Sequence, residues 1–326
     1  MSLVKSFIEI CRAPAFIEPY LHFFVTEQEM EFVVACGGKW LSVGEFAALL
    51  PQPPAELAFC LEQAYLRHIL DKEHTDTVRY SAGNFYYRLK HFCLFGNYHI
   101  LPATIRQQLD AWDFAEYLRQ NNYFKQVLGQ DPDYGQCHNE WILLVEEAEA
   151  MIDAAAIVRL LPCDCKMLAD QCDYSREICL VLDPERVTDR SGGRELTKEQ
   201  AKELIRKLDK EGLMHTGGPP DWQQQGPAVI CNCCACCCYP FRAARLLGTK
   251  GKWPKSRYVA TFDRDKCLNC GLCSKRCHFD AFYVVAADAV TPRYIEFNAG
   301  LCWGCGICVA SCPAQAIGLT ALAGRK

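Results

Sequence analysis

Cys267-Leu268-Asn269-Cys270-Gly271-Leu272-Cys273-Ser274-Lys275-Arg276-Cys277 and Cys302-Trp303-Gly304-Cys305-Gly306-Ile307-Cys308-Val309-Ala310-Ser311-Cys312-Pro313 share one pattern, C-x2-C-x2-C-x3-C. The pattern has a chemical reason. A 4Fe-4S cube needs four thiolates aimed at four corners, and three cysteines at two-residue gaps on a tight loop wrap three irons. The fourth thiolate has to come from outside that loop. Phe262 and Phe297, Cys267 and Cys302, Cys277 and Cys312, and Ala281 and Ala316 are each 35 residues apart, so the segment is an internal repeat. Gly271 and Gly306 repeat with it, where the loop backbone must approach a cluster closely. Zinc is the competing reading, but paired C-x2-C ribbons supply four ligands rather than eight in this order.

The segment resembles the bacterial two-cluster ferredoxin over about 60 residues, whose fourth ligand comes from the opposite run. The resemblance implies one cluster on Cys267, Cys270, Cys273 and Cys312, and another on Cys302, Cys305, Cys308 and Cys277. His278 departs from it, standing where the first run would usually have proline. With four cysteines present in each set, His278 is expected to be a hydrogen-bond donor near the cluster or a surface residue.

A chain of 326 residues is too long for such a domain alone, and its apolar half can form a sizeable core. Charge is uneven: residues 1–160 carry 12 Lys and Arg against 21 Asp and Glu, a net −9, whereas residues 161–326 carry +5. A basic surround suits iron–sulfur thiolate units, which are net anionic. Of the 23 cysteines, 18 follow Leu161. Met1 to Arg12 has no long apolar core followed by a small-residue cleavage site, and no run approaches 18 apolar residues. Metal-bound thiols in a cytoplasmic protein are therefore expected rather than disulfides. Cluster lability adds an anaerobic or low-oxygen setting.

Ten of those eighteen precede the repeat. Cys163, Cys165, Cys172 and Cys179 follow Pro162, and Cys231-Asn232-Cys233-Cys234-Ala235-Cys236-Cys237-Cys238 packs six into eight residues. Thiolates this dense repel one another unless metal neutralises them, and a single zinc needs only four. At least one further 4Fe-4S cluster is expected, with room for two. The candidate ligands are Cys163, Cys165, Cys172, Cys231, Cys233, Cys234, Cys236, Cys237 and Cys238, without individual assignment. The alternative is a zinc site with spare thiols. Between the two groups, Thr197 caps a helix with Ala201, Leu204, Ile205 and Leu208 inward, ended by Gly212.

The N-terminal half reads as an arm, three helices and a hairpin. Thr26 caps the first helix, with Glu27 and Glu29 in its first turn, and Gly37-Gly38 stop it. Ser42 and Glu45 form a capping box on the second, and Pro54 opens the third. His68-Ile69-Leu70 and Val78-Arg79-Tyr80 read as the hairpin. The order is winged-helix-like. Yet Pro54 to Arg67, in the place of a recognition helix, carries Glu56 and Glu62 against Arg67 alone, which is poor chemistry for phosphate or base readout. A docking or dimerising role is expected in place of DNA binding. Residues 84–160 read as mainly helical. Phe85, Tyr86, Phe92, Phe95 and Tyr98 form an aromatic stripe read as core packing, with flavin stacking as the alternative. Trp112 to Leu128 is amphipathic, Asp131 to Gly135 is a loop, and Ile142 to Leu161 is a second long helical pattern ended by Pro162. Cys11, Cys36, Cys60, Cys93 and Cys137 lack ligand spacing and read as small buried side chains.

Taken in order, Pro162-Cys163-x-Cys165, Cys172, the helix after Thr197, Ile230-Cys231-Asn232-Cys233-Cys234-x-Cys236-Cys237-Cys238 and the ferredoxin runs resemble a family of 4Fe-4S binding proteins from anaerobic bacteria and archaea. In that family a winged-helix-like half precedes the cysteines. The resemblance covers most of residues 20–320 and implies electron transfer without naming a substrate. Lys166 departs from it, where arginine is usual, and keeps the charge. The expected protein is α+β and multidomain, with a winged-helix-like domain and arm at 1–83, a helical region at 84–161, a cysteine-rich cluster-binding domain at 162–255 and a ferredoxin-like domain at 256–326. No G-x-G-x-x-G, G-x4-G-K-[ST], C-x3-C-x2-C or C-x2-C-H occurs, so no resident nucleotide, radical-SAM or haem chemistry is indicated. The expected function is electron transfer, as a subunit of or dedicated carrier for a flavin- or metal-containing oxidoreductase. Two alternatives stand beside it: an oxidoreductase with an open-iron cluster that binds substrate, and a redox-sensing winged-helix regulator. Homodimerisation through the N-terminal half is a further possibility.

Overall fold

The computed structural model describes residues 2–74, 76–120, 141–186, 189–190, 192–218, 221–225, 228–286 and 292–323. The expected loop at Asp131 to Gly135, Cys137 and the end of the pattern at Leu128 lie outside them. Backbone contacts divide the chain into two compact units, Met1–Tyr117 with Met167–Ala169, and Leu118–Lys166 with Asp170–Lys326.

In the first unit a helix at Leu3–Cys11 and a 3-10 segment at Ala15–Phe23 precede three helices, Glu27–Cys36, Val43–Leu49 and Pro54–Leu66. Both early caps are reciprocal. Thr26 Oγ1 accepts from Glu29 N while Glu29 accepts from Thr26 N, and Ser42 and Glu45 do the same. Three antiparallel strands, β1 (Leu41–Ser42), β2 (Leu70–His74) and β3 (Val78–Ala82), lie in the order β1-β3-β2. The hairpin is thus longer than the polar segment Asp71 to Thr77 suggests. Lys72 and Tyr80 on it both bond Glu62, which recruits those polar residues into strand. Phe85, Tyr86, Phe92 and Tyr98 are buried, and Phe92 packs 4.6 Å from Phe24, so the aromatic stripe is core. Phe95 is the exception, 49% exposed. Cys11, Cys36 and Cys93 are buried, and Cys60 is half-buried. The helix carrying Trp112 spans Ala103–Gln120, beginning earlier than its amphipathic pattern.

The second unit holds a six-stranded antiparallel sheet in the order β4-β8-β9-β6-β5-β7. Its strands are β4 (Trp141–Leu143), β5 (Val158–Pro162), β6 (Glu177–Leu182), β7 (Arg194–Leu196), β8 (Met214–Gly217) and β9 (Ala228–Cys233). The long helix expected over Ile142 to Leu161 is corrected: strand, helix Val145–Ala154 and strand replace it. Two distant partners cause the break. Ile142 pairs with Thr216 in the sheet, and Asp183 Oδ1 accepts from Ala156 N and Ile157 N at 2.8 Å each, taking amides that a helix would use. The boundary expected at residues 161/162 therefore runs through one sheet. Helices Val145–Ala154 and Lys198–Glu211 cover it, with Met151, Ile152, Ala201 and Ile205 packed on Leu160, Leu180 and Ile230.

The same unit ends in two antiparallel strand pairs. β10 (Tyr258–Phe262) pairs with β13 (Ile317–Ala321), and β11 (Phe282–Val285) with β12 (Tyr294–Phe297). Register follows the 35-residue repeat: Phe262 faces Ile317 in one pair, and Phe282 faces Phe297 in the other. Polar contacts join this region to the sheet. Arg257 grips Glu147 with two bonds of 2.6 and 2.5 Å, a bidentate fork of mostly buried groups. Arg276 Nη2 donates to the carbonyls of Asp209 and Lys210, both at 2.6 Å, and His278 Nε2 donates to Gly212 O at 2.7 Å. These carbonyls lie at the C-terminal end of helix Lys198–Glu211, where Gly212 N also donates to Asp209 O, so two side chains of the repeat add to the cap of a helix in the middle region.

Candidate metal centres

The two C-x2-C-x2-C-x3-C loops are built alike in their main features. Gly271 and Gly306 have φ of +80° and +81° and open short helices at Leu272–Arg276 and Ile307–Ala310. Asp280 and Gln315, again 35 apart, sit at φ +54° and +50°. Backbone amides point at sulfur in pairs: Asn269 N to Cys267 Sγ and Gly304 N to Cys302 Sγ, then Ala281 N to Cys277 Sγ and Ala316 N to Cys312 Sγ, all at 3.3–3.4 Å. Ala260 N adds a further bond to Cys302 Sγ at 3.4 Å. Amides on sulfur favour the thiolate and tune any iron it holds. Cys273 is buried, whereas Cys270 is exposed, with Leu268 and Leu272 exposed beside it. Burial pushes the Cys273 thiol up to about 11 and the Cys305 thiol up to about 12. Cys302 and Cys277 both act on Cys305, so Cys277 of the first run stands near the second. A metal must displace those protons to bind.

Gly304 is a site residue that the repeat alone did not single out. A Cβ there would stand 2.0 Å from Tyr258 O, and φ is +66°. Its counterpart Asn269 takes φ +54°, a conformation that asparagine tolerates, and its Oδ1 accepts from Ile295 N. His278 is half-buried and its Nε2 donates to Gly212 O, a contact between regions.

The ten middle cysteines are sorted by the sheet. β5 ends at Pro162 beside Cys163, β6 carries Cys179 as its third residue, and β9 ends with Cys231 and Cys233. Strand order β9-β6-β5 brings these ends to one edge. There Cys163 bonds Cys165 and Cys179, Cys179 bonds Cys231, Cys231 bonds Cys233, and Cys238 Sγ donates to Cys233 Sγ at 3.1 Å. Cys179, absent from the candidate ligands, belongs to this run; strand pairing supplies it, not spacing. Its hydrogen bonds with Cys163 and Cys231 hold its thiol down to about 6, against burial.

The other four separate from that run. Cys172, Cys234, Cys236 and Cys237 hold their sulfurs within 4.8 Å of one another, with 3.7 Å from Cys172 to Cys234, 3.6 Å from Cys172 to Cys237 and 3.8 Å from Cys236 to Cys237. Hydrogen bonding from Cys237 takes Cys234 down to about 3 despite burial, aided by Lys166, while burial pushes Cys236 up to about 12.

Lys166 lies among both sets. It is 3% exposed, and its Nζ donates to Asn232 O at 3.1 Å. Burial disfavours its charge, but Cys163, Cys234, Cys233 and Cys238 outweigh that and raise its pKa. Asn232 is held in turn: His215 Nδ1 donates to its Oδ1 at 2.6 Å, and its Nδ2 donates to Ile178 O. Asn232 and His215 were missed because their role depends on the β8–β9 register that sets them opposite each other.

Comparison with known proteins supports the C-terminal region. Residues 260–319 match the family described as 4Fe-4S dicluster domain. A 63-residue stretch is 38% identical to the NADH-dependent phenylglyoxylate dehydrogenase subunit delta of Aromatoleum evansii, covering 19% of this chain and 59% of that protein. The chain thus spans less than two thirds of that relative. No solved structure matches. No helix among the described residues is long and apolar enough to cross a membrane. The chain is an iron–sulfur protein with a C-terminal 4Fe-4S dicluster domain.

Proposed function

We propose that this chain is a cytoplasmic multi-cluster electron-transfer protein, serving as a subunit of, or dedicated carrier for, a flavin- or metal-containing oxidoreductase in an anaerobic setting. One observation carries the reading: eight cysteines in two runs, four of which accept backbone amide bonds that repeat at 35 residues. A 4Fe-4S cube, when bound, supplies one-electron oxidation and reduction. Cys267, Cys270, Cys273 and Cys312 would hold one cube and Cys302, Cys305, Cys308 and Cys277 the other; the nearness of Cys277 to Cys305 and Cys308 supports that crossing. At least one further cube would draw its thiolates from Cys163, Cys165, Cys179, Cys231, Cys233 and Cys238, beside the Lys166 ammonium. The relative's name, a dehydrogenase subunit, supports an oxidoreductase partner. Exposed Cys270, flanked by Leu268 and Leu272, is the edge at which a partner could approach.

The N-terminal unit fits docking or dimerisation better than DNA reading. Its helix–strand–helix–helix–hairpin order supports the winged-helix description. However, Arg67 is engaged by Glu29 and Phe24 O, and Lys72 by Glu62, so neither cation is spare for phosphate. The open-iron enzyme reading gains nothing from two cavities of about 660 and 170 Å³, since neither has a cysteine in its wall.

Protein purified without oxygen should be brown and give paramagnetic signals on reduction with dithionite. It should also co-purify from native extract with an oxidoreductase subunit. Colourless material with no reducible centre would overturn the reading.

A further inference from the structure

We propose that Cys172, Cys234, Cys236 and Cys237 hold a single tetrahedral zinc ion that staples the loop after Asp170 to the turn after β9. The site is separate from the cubes and leaves fourteen of the eighteen C-terminal-half thiols to them.

The argument is one of size. Zinc–thiolate bonds of about 2.3 Å at tetrahedral angles set sulfurs about 3.8 Å apart. Three of the six sulfur–sulfur distances here are 3.7, 3.6 and 3.8 Å, and all four sulfurs lie within 4.8 Å of one another. A cube interposes four irons and four sulfides, so its thiolates stand farther apart than those sharing one ion. The same structure supplies the contrast. Among the described residues, the eight cysteines of the dicluster domain form no group of three within 4.8 Å.

Ligand type agrees. Four soft thiolates in tetrahedral array suit zinc, and four protein ligands close the site with no position left for substrate. Burial also fits a structural role: Cys234 and Cys237 are buried, while Cys172 and Cys236 are half-buried. The staple joins points 62 to 65 residues apart in sequence, at a place where neither loop has strand pairing to hold it. Tyr174 packs near these thiols, and its ring lies 6.3 Å from that of His278. The site therefore stiffens the surface on which the dicluster domain is seated.

The test is metal analysis of the full chain purified anaerobically, with X-ray absorption at the zinc edge. About one zinc per chain surrounded by four sulfurs at about 2.3 Å is expected. The double variant C236S/C237S should lose that zinc and keep its iron and its reduced-state paramagnetic signals. Should the variant fail to fold, the zinc-edge spectrum of the unaltered protein decides alone. Zinc absent, or bound by nitrogen or oxygen ligands, overturns the proposal, as does iron lost from C236S/C237S in place of zinc. The iron count separates this from the reading above: about eight irons with one zinc keeps the zinc site and removes the further cube. About twelve or more irons without zinc does the reverse.

Discussion

The dicluster domain and the cysteine-rich sheet edge hold similar numbers of thiols and are built on opposite logic. In the domain, the pattern is local. Each loop wraps its own sulfurs, and the repeat at 35 residues reappears in backbone angles, strand register and amide-to-sulfur bonds. At the sheet edge, neighbours in sequence part company. Cys233 joins Cys238 and Cys231, while Cys234, between them, joins Cys172. The reason is strand geometry: successive side chains on β9 leave on opposite faces, and the turn after Cys233 redirects the rest. Cysteine density thus signals metal but does not say which thiols share it.

The comparison can be broken most severely at the backbone. Gly304→Ala puts a Cβ against Tyr258 O in a left-handed conformation, with an expected loss above about 3 kcal/mol and failure to retain iron on the second loop. Asn269→Gly, its counterpart in the repeat, should retain full iron. Thermal denaturation under argon with iron analysis checks both, and equal behaviour would show that the loops are not held as described.

Next comes the charge at the sheet edge. Lys166→Met leaves anionic sulfur around a buried neutral side chain, a loss of about 3–5 kcal/mol if one partner of a buried ion pair is a fair guide. Metal should fall in the middle region while the signals of the dicluster domain persist. Lys166→Arg should restore much of it. Loss of all iron would mean that the two regions do not load independently.

Smaller effects probe the seam between the regions. Arg276→Ala removes two hydrogen bonds to carbonyls at the end of helix Lys198–Glu211, and an effect of about 1–2 kcal/mol is expected, read as faster amide exchange in that helix's last turn. His278→Ala should cost about 1 kcal/mol and leave the reduced spectrum unchanged. A changed spectrum would return His278 to the neighbourhood of the cluster.

Much of the first unit was readable because its signals are local. Thr26, Ser42 and Pro54 each act within one turn of the helix they start, and the structure uses each as its chemistry suggests. Ile142 to Leu161 was not readable for the converse reason. Its apolar spacing suits a helix, and only Thr216 and Asp183, far along the chain, turn its ends into strands. Cys179 stands outside the candidate ligands for the same reason, since it reaches other thiols through β6 and not through a motif.

By itself the sequence determined that this is an iron–sulfur protein with a 4Fe-4S dicluster domain over residues 260–319, because loop ligation is a short-range matter of spacing and glycine. Only the tertiary structure decided how the ten middle cysteines divide, that Lys166 is buried among them, and that the dicluster domain caps a helix of the neighbouring sheet. Those outcomes depend on strand order and on contacts across 60 residues or more, which no local pattern encodes.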